Sequence, residues 1–378
     1  MKNKHISIGK ILGIPIYLDY SWFLILALVT WILAQSYFPQ EFKDWPVILY
    51  WVIGFLTSII FFISILLHEL GHSILARRYK VKVKRITLFI FGGVAEIAKE
   101  PPKASAEFWI AIAGPITSFL LAVIFYSLDK ALSGSEYFVA TFRYLAYINF
   151  LLAVFNLIPG FPLDGGRVFR AIVWGITKNI KKATTIAANV GRFFGFLFIM
   201  IGIFLIFQNN FVDGIWIAFI GWFLESAAVS QIQRQALDEL LSGHLVSEAM
   251  STDLGIVYPD SSIQEIVDNH FIGANRRCLL VKDDNSIVGF LTPNQINSVP
   301  KEARLNKTIK EIMIPKGNII KISADSQLLD ALKKMDENGI AQLPVVENEN
   351  YTGILSRDSI IRYFHHTLTI INYFLIIC

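Results

Sequence analysis

The stretch Phe55-Leu-Thr-Ser-Ile-Ile-Phe-Phe-Ile-Ser-Ile-Leu-Leu-His68-Glu69-Leu70-Gly71-His72 decides the reading of this chain, because ionisable residues close an otherwise oily segment. It lies within the apolar run Val47–Leu75, long enough for a bilayer span, which takes about 20 mostly apolar residues. His68 and His72 are four apart, so both imidazoles fall on one helical face and can reach one ion. Glu69 stands beside His68 and can take a proton from a water that a metal has acidified. An HExxH pentapeptide alone arises often by chance. Ionisable groups at the end of a lipid-grade span are costly and usually functional, so the context favours a metal over two snorkelling interfacial histidines.

Outward from this helix, five more segments have spanning length and character: Ile14–Tyr37, Phe108–Leu128, Phe138–Ile158, a shorter Phe193–Phe207, and Phe211–Ala228. Charged residues make up only 17% of the 378 residues, against about 25% in a soluble domain. The deficit is confined to residues 1–230, so a membrane domain is expected there, followed by a linker over 231–245 and a soluble domain over 246–364. The basic residues alternate between loops. Lys2, Lys4 and Lys10 precede the first span, Arg77 to Lys103 hold eight Lys/Arg, and Arg167 to Arg192 hold six, while the intervening loops hold only Lys43 and Lys130. By the positive-inside rule this puts both termini and the soluble domain in the cytoplasm of a cell-membrane protein. No cleavable signal peptide is read at the N-terminus. Cys278 and Cys378 form no paired motif, so no disulfide framework is expected.

A catalytic zinc needs a third protein ligand and an open position. Asn156-Leu-Ile-Pro-Gly-Phe-Pro-Leu-Asp164-Gly165-Gly166-Arg167 carries two prolines and three glycines, so the fourth span must break there. Non-helical backbone at membrane depth is tolerated only where protein buries it or a wet cavity receives it. Such a break can aim Asp164 at the metal; a plain helix-ending turn with a solvated aspartate is the alternative. Arg85-Ile-Thr-Leu-Phe-Ile-Phe-Gly92-Gly93-Val-Ala-Glu96-Ile reads as a strand, a tight turn at the glycine pair and a second strand.

The His68–His72 pentapeptide, the Asn156–Arg167 segment and Ala113-Gly114-Pro115-Ile-Thr-Ser118 between them resemble the site-2 protease family of intramembrane metalloproteases. Gly13-Ile-Pro-Ile and Ser21-Trp22 resemble the opening of its prokaryotic members, and the similarity covers roughly residues 8–225. The resemblance implies one zinc ion held by His68, His72 and Asp164, with Glu69 as catalytic base. It further implies that Asn156 holds the scissile carbonyl or its oxyanion. The hairpin becomes a re-entrant element whose Gly92 and Gly93 contact an unwound substrate strand.

The soluble part repeats itself at an offset of about 64 residues. Val246-Ser-Glu-Ala-Met250 matches Ile309-Lys-Glu-Ile-Met313, Asp260-Ser-Ser-Ile263 matches Asp325-Ser-Gln-Leu328, and Val288-Gly-Phe-Leu-Thr292 matches Thr352-Gly-Ile-Leu-Ser356. This pattern resembles a tandem pair of CBS domains, over about 246–300 and 308–364. The resemblance implies an adenine nucleotide such as ATP at Ser356, Asp358 and Thr292, with Arg357 nearby for phosphate. Asp358 follows Ser356 by two residues where the family uses three, and the first repeat offers Thr292-Pro-Asn without an aspartate. Regulation by nucleotide and a structural or homodimer-forming role therefore both stay open. The apolar tail over 365–378 is too short to span.

The fold expected is a polytopic α-helical membrane protein of about six spans with a re-entrant β-hairpin, followed by a soluble α/β CBS pair. The function expected is zinc endopeptidase action on a transmembrane protein: an anti-sigma factor, a pro-sigma factor or a signal-peptide remnant. The lipid bilayer is the other partner, and no nucleic acid is. A CBS-gated transporter or channel would spread polar residues through several spans, whereas here they gather at His68–His72 and Asn156–Asp164. A catalytically inactive relative that only binds membrane proteins is the third reading.

Overall fold

The computed structural model describes residues 5–364 apart from 91, 98–99, 273–277, 285 and 349. The apolar tail Leu368–Cys378 therefore lies outside the described residues. The chain forms two compact units, Met1–Gln235 and Ala236–Cys378.

The first unit opens with two strands rather than a helix. β1 (His5–Ile11) and β2 (Ile14–Asp19) pair antiparallel across the two-residue turn Leu12–Gly13, both at positive φ, the geometry that matches the twist of a hairpin. The first span was expected to begin at Ile14. It begins at Tyr20 instead, because Ile14, Ile16 and Leu18 alternate inward with period two and Asp19 caps the helix by accepting the Ser21 N–H. α1 (Tyr20–Ile32) continues through a wide turn into α2 (Phe38–Glu41). α3 (Val47–Arg78) carries the histidines. It leads into β3 (Val83–Phe89) and β4 (Gly92–Ile97), which complete a four-stranded sheet of order β1-β2-β3-β4. The sheet buries Ile14, Val83 and Ile86 against Leu70 and Ala76 of α3.

Four more long helices follow: α4 (Ala104–Ala131), α5 (Glu136–Asn156), then, after the shorter α6 (Asp164–Thr177), α7 (Ile180–Phe207) and α8 (Phe211–Leu241). Among the described residues six helices are long and apolar enough to cross a membrane: Tyr20–Glu41, α3, α4, α5, α7 and α8. The fifth was expected to be short. It spans 28 residues, because Lys181, Lys182 and Arg192 interrupt its oiliness without interrupting its helix. α8 likewise runs to Leu241, through most of the segment read as a linker. Where α7 meets α8 the backbones touch: a Cβ on Gly202 would stand 2.5 Å from Gly214 O, and one on Gly221 2.5 Å from Gly195 O. Small residues at such crossings are the usual solution in lipid, where apolar burial gives no net drive.

The second unit holds two sheets with the same plan. β5 (Ile256–Val257), β6 (Leu279–Asp283), β7 (Ser286–Leu291) and β8 (Ile314–Pro315) form one; β9 (Ile322–Ser323), β10 (Gln342–Glu347) and β11 (Asn350–Ser356) form the other. The repeats exchange edges. β8, at the start of the second repeat, pairs with β7 of the first, and Ser251 of the first bridges Ile354 of the second. Met313 packs on Gly289 and Met250 on Gly353, so the sequence repeat is also a repeat of contacts.

Candidate metal centre

Asp164 is the first residue of α6. The break after Asn156 reverses the chain, and the glycines let it fold tightly back. A Cβ on Gly165 would meet Leu157 O at 2.4 Å, and one on Gly166 would meet Gly160 C at 2.3 Å. The break expected from the sequence is therefore present, and it turns Asp164 inward. Asp164 Oδ2 stands 3.1 Å from His68 Nε2 and 3.0 Å from His72 Nε2, and the two ring nitrogens are 3.2 Å apart. Both histidines are buried, at 4% and 3% exposure.

The proton positions follow from the outer partners. His72 Nδ1 lies 2.7 Å from the Ile110 carbonyl of α4, which can only accept, so Nδ1 carries the hydrogen and Nε2 offers its lone pair. His68 Nδ1 lies 2.8 Å from Ser118 Oγ, a partner that lets His68 take the same tautomer. Three lone-pair donors thus point at one place. Ligands about 2.0–2.1 Å from a tetrahedral zinc stand about 3.3–3.4 Å apart. The observed separations of 3.0–3.2 Å match that set after a small expansion. Among the described residues these three are the only His/Cys/Asp/Glu group able to share an ion.

Space is reserved on the fourth side. A Cβ on Gly114 would fall 2.1 Å from His72 Nε2 and 2.6 Å from His68 Nε2, so only glycine leaves the centre open at that point of α4. Gly114 and Ser118 lie in the Ala113–Ser118 motif that resembles the site-2 protease family, and the sequence alone does not say what each one touches. Glu69 is half-buried beside the pair, and a Cβ on Gly93 would come within 2.6 Å of its Cγ. The glycine pair was expected to make the hairpin turn. Gly92 and Gly93 instead pair with Phe89 and Leu88 inside the sheet, and the turn precedes them. Gly93 is small because Glu69 occupies the place of its side chain.

Asn156 ends α5, where its Nδ2 donates to the Leu152 carbonyl at 3.0 Å, a bond within its own helix. In the second unit a cavity of about 300 Å³ lies between the repeats, with Thr292 in its wall together with Phe290, Ile340 and Pro344. Among the described residues its lining holds no charged side chain, and Ser356 and Asp358 do not contribute to it. Ser356 is engaged with Ser359 in reciprocal bonds of 3.0 Å, and Arg357 with Asp336.

The chain is 35% identical over 369 residues to sll0528 of Synechocystis sp., a candidate zinc metalloprotease by name, and 95% of each chain is covered. It belongs to peptidase family M50. The family's model matches residues 56–135 and 129–202, which contain all three histidine and aspartate ligand candidates. CBS domain models match 246–300 and 309–366. Rip3 of Mycobacterium tuberculosis, also a candidate zinc metalloprotease by name, is 31% identical over 94% of this chain and 92% of its own. A solved structure of a site-2 protease from Methanocaldococcus jannaschii aligns at 30% identity over 60% of this chain and 95% of that one, with a TM-score of 0.42. This M50 chain is thus a multi-pass membrane protein with a CBS pair behind its peptidase domain.

Proposed function

We propose that this M50 chain is a zinc metalloendopeptidase that hydrolyses peptide bonds in or beside the transmembrane segments of membrane-bound substrates. The convergence of His68 Nε2, His72 Nε2 and Asp164 Oδ2 within 3.0–3.2 Å, next to Glu69, carries the reading. The names of the relatives support zinc as the metal. Zinc held by these residues supplies a Lewis acid and brings the pKa of water towards neutrality. Glu69 accepts the proton of the attacking water and returns it to the leaving nitrogen. Asn156, once released from Leu152, offers its amide to the oxyanion, where a well-placed donor contributes several kcal/mol, about 3.

A helical substrate must unwind, since its carbonyls are engaged in its own hydrogen bonds. β4 is an edge of its sheet and lies against Glu69 through Gly93, which supports the addition of an extended substrate segment along it. In this reading the β3–β4 hairpin is the re-entrant element. The loop charges support a cytoplasmic location for the termini and the CBS pair; an anti-sigma factor, pro-sigma factor or signal-peptide remnant is the substrate this reading takes. An adenine nucleotide at the CBS pair is proposed as the regulator, with Thr292 the one expected contact that lines the cavity between the repeats.

The test is direct. Purified wild type should hold stoichiometric zinc, and Glu69→Gln should keep the zinc while losing cleavage of a membrane-protein substrate. Equal cleavage by both would sink the proton-transfer role, and wild type without zinc would sink the class. Activity that stays flat across millimolar ATP would remove the nucleotide from the scheme.

A further inference from the structure

Arg170 lies six residues after Asp164 on α6 and is only 9% exposed. Its Nε donates to Glu107 Oε1 at 2.6 Å, and Nη2 donates to the same oxygen. Nη1 reaches Thr184 Oγ1 of α7 at 3.4 Å and Glu100 Oε1 at 3.4 Å. The guanidinium carbon stands 5.4 Å from the centre of the Phe161 ring, in the break itself. Glu107 is fully buried on α4. It precedes by three residues Ile110, whose carbonyl fixes the His72 tautomer.

One guanidinium thus joins the helix that begins at Asp164, the helix that anchors His72, the helix α7 and the loop between α5 and α6. Burying two charges costs several kcal/mol per ion, about as much as their attraction returns, so such a pair is a poor device for simple cohesion. It is a good device for direction. Two N–H groups of the planar guanidinium converge on one carboxylate oxygen, Glu107 Oε1, and that contact ties α6 to α4. Asp164 opens one of these helices, and the other holds the His72 ring through the Ile110 carbonyl, although His72 itself belongs to α3.

We propose that Glu107 and Arg170 are positioning residues for the metal ligands, setting the placement of Asp164 relative to His72. The inference rests on the reading of His68, His72 and Asp164 as a zinc site. Groups that bond a metal ligand directly cost about 10–100-fold in metal affinity when changed; Glu107 and Arg170 act one step further out, so the lower end, about 10-fold, is expected.

The experiment measures zinc affinity of the full chain in detergent by competition with a chromophoric chelator, together with the visible absorption spectrum of the cobalt-substituted protein. Arg170→Lys keeps the charge and loses the two-pronged geometry. Glu107→Leu combined with Arg170→Met removes both charges, so neither is stranded and the fold is kept. Both variants are expected to bind zinc about 10-fold more weakly and to show an altered cobalt spectrum, with melting temperatures of the apo proteins near that of wild type. Wild-type affinity and spectrum in the doubly apolar variant would overturn the proposal, since packing alone would then suffice. Should wild type itself bind no zinc in the same assay, the metal reading falls and this one with it. A wild type that binds, beside a doubly apolar variant that binds equally, removes only the positioning role.

Discussion

Two glycines separate the two tasks of the centre, and they make opposite predictions. Gly114→Ala would place a methyl group where the two Nε2 atoms and their shared ligand must meet, 2.1 Å from one and 2.6 Å from the other. Zinc affinity is expected to fall by more than about 100-fold, beyond the range for outer partners, with activity lost in proportion; chelator competition reads it. Gly93→Ala touches no ligand but would press on Glu69 Cγ. It should keep zinc and lower kcat by about 100-fold, the cost of misplacing a catalytic group by an ångström. Single-turnover cleavage beside a zinc titration distinguishes the two, and equal zinc loss in both would contradict the division of roles. The three ligand candidates were legible in the sequence as two histidines at helical spacing and a broken span able to aim Asp164 inward, and the structure brings their side chains together. The glycines were legible only as a motif. A glycine announces a turn or a close approach equally well: Gly93 is pressed by Glu69, whereas Gly92 has open space around it and a φ of +122° beside the turn.

At the scale of elements, spans were legible and strands were less so. Length and oiliness identify a helix crossing lipid whatever its neighbours, and all six expected spans have a long helix at their place. β1 and β2 escaped because a six-residue alternation beside a long apolar run is outweighed by it in any count of apolar residues. They matter nonetheless, since they extend the sheet that carries β4 to Glu69. The contact of α7 with α8 depends on tertiary proximity that no local pattern announces. A Cβ on Gly202 would meet Ala218 N and Gly214 O, both at 2.5 Å, and backbone cannot step aside as a side chain can. Gly202→Ala is therefore expected to destabilise the membrane unit by about 1–3 kcal/mol, the range for overpacking. A lowered melting temperature in detergent checks it, with the zinc affinity of the folded fraction unchanged because Gly202 lies outside the centre.

At the scale of the whole molecule, all three ligand candidates belong to Met1–Gln235, whereas Cys278 belongs to the CBS unit and reports on it alone. Cys278 packs with Leu280 and Phe290 of the first repeat and Ile354 of the second, so its exposure requires the repeats to part. Burial pushes its thiol up to about 12 from an ordinary 9.0. The thiolate is the reactive form, and at neutral pH the folded protein offers almost none. In a Cys378→Ser background, maleimide labelling during a heating ramp should follow unfolding of the CBS unit. The pH dependence has a definite sign. A group whose neutral form the fold favours contributes stability below its unfolded pKa and loses it as pH rises through the interval from about 9 to about 12, so the labelling temperature should drop across that interval, comparing pH 7 with pH 10.5. Removing zinc with a chelator takes away stabilisation only from the unit that binds it. The labelling temperature of Cys278 is therefore expected to stay where it was while the melting of the membrane unit falls. A parallel drop in both would show that the two units unfold as one, and that the CBS pair senses the metal centre through the protein rather than merely following it in sequence.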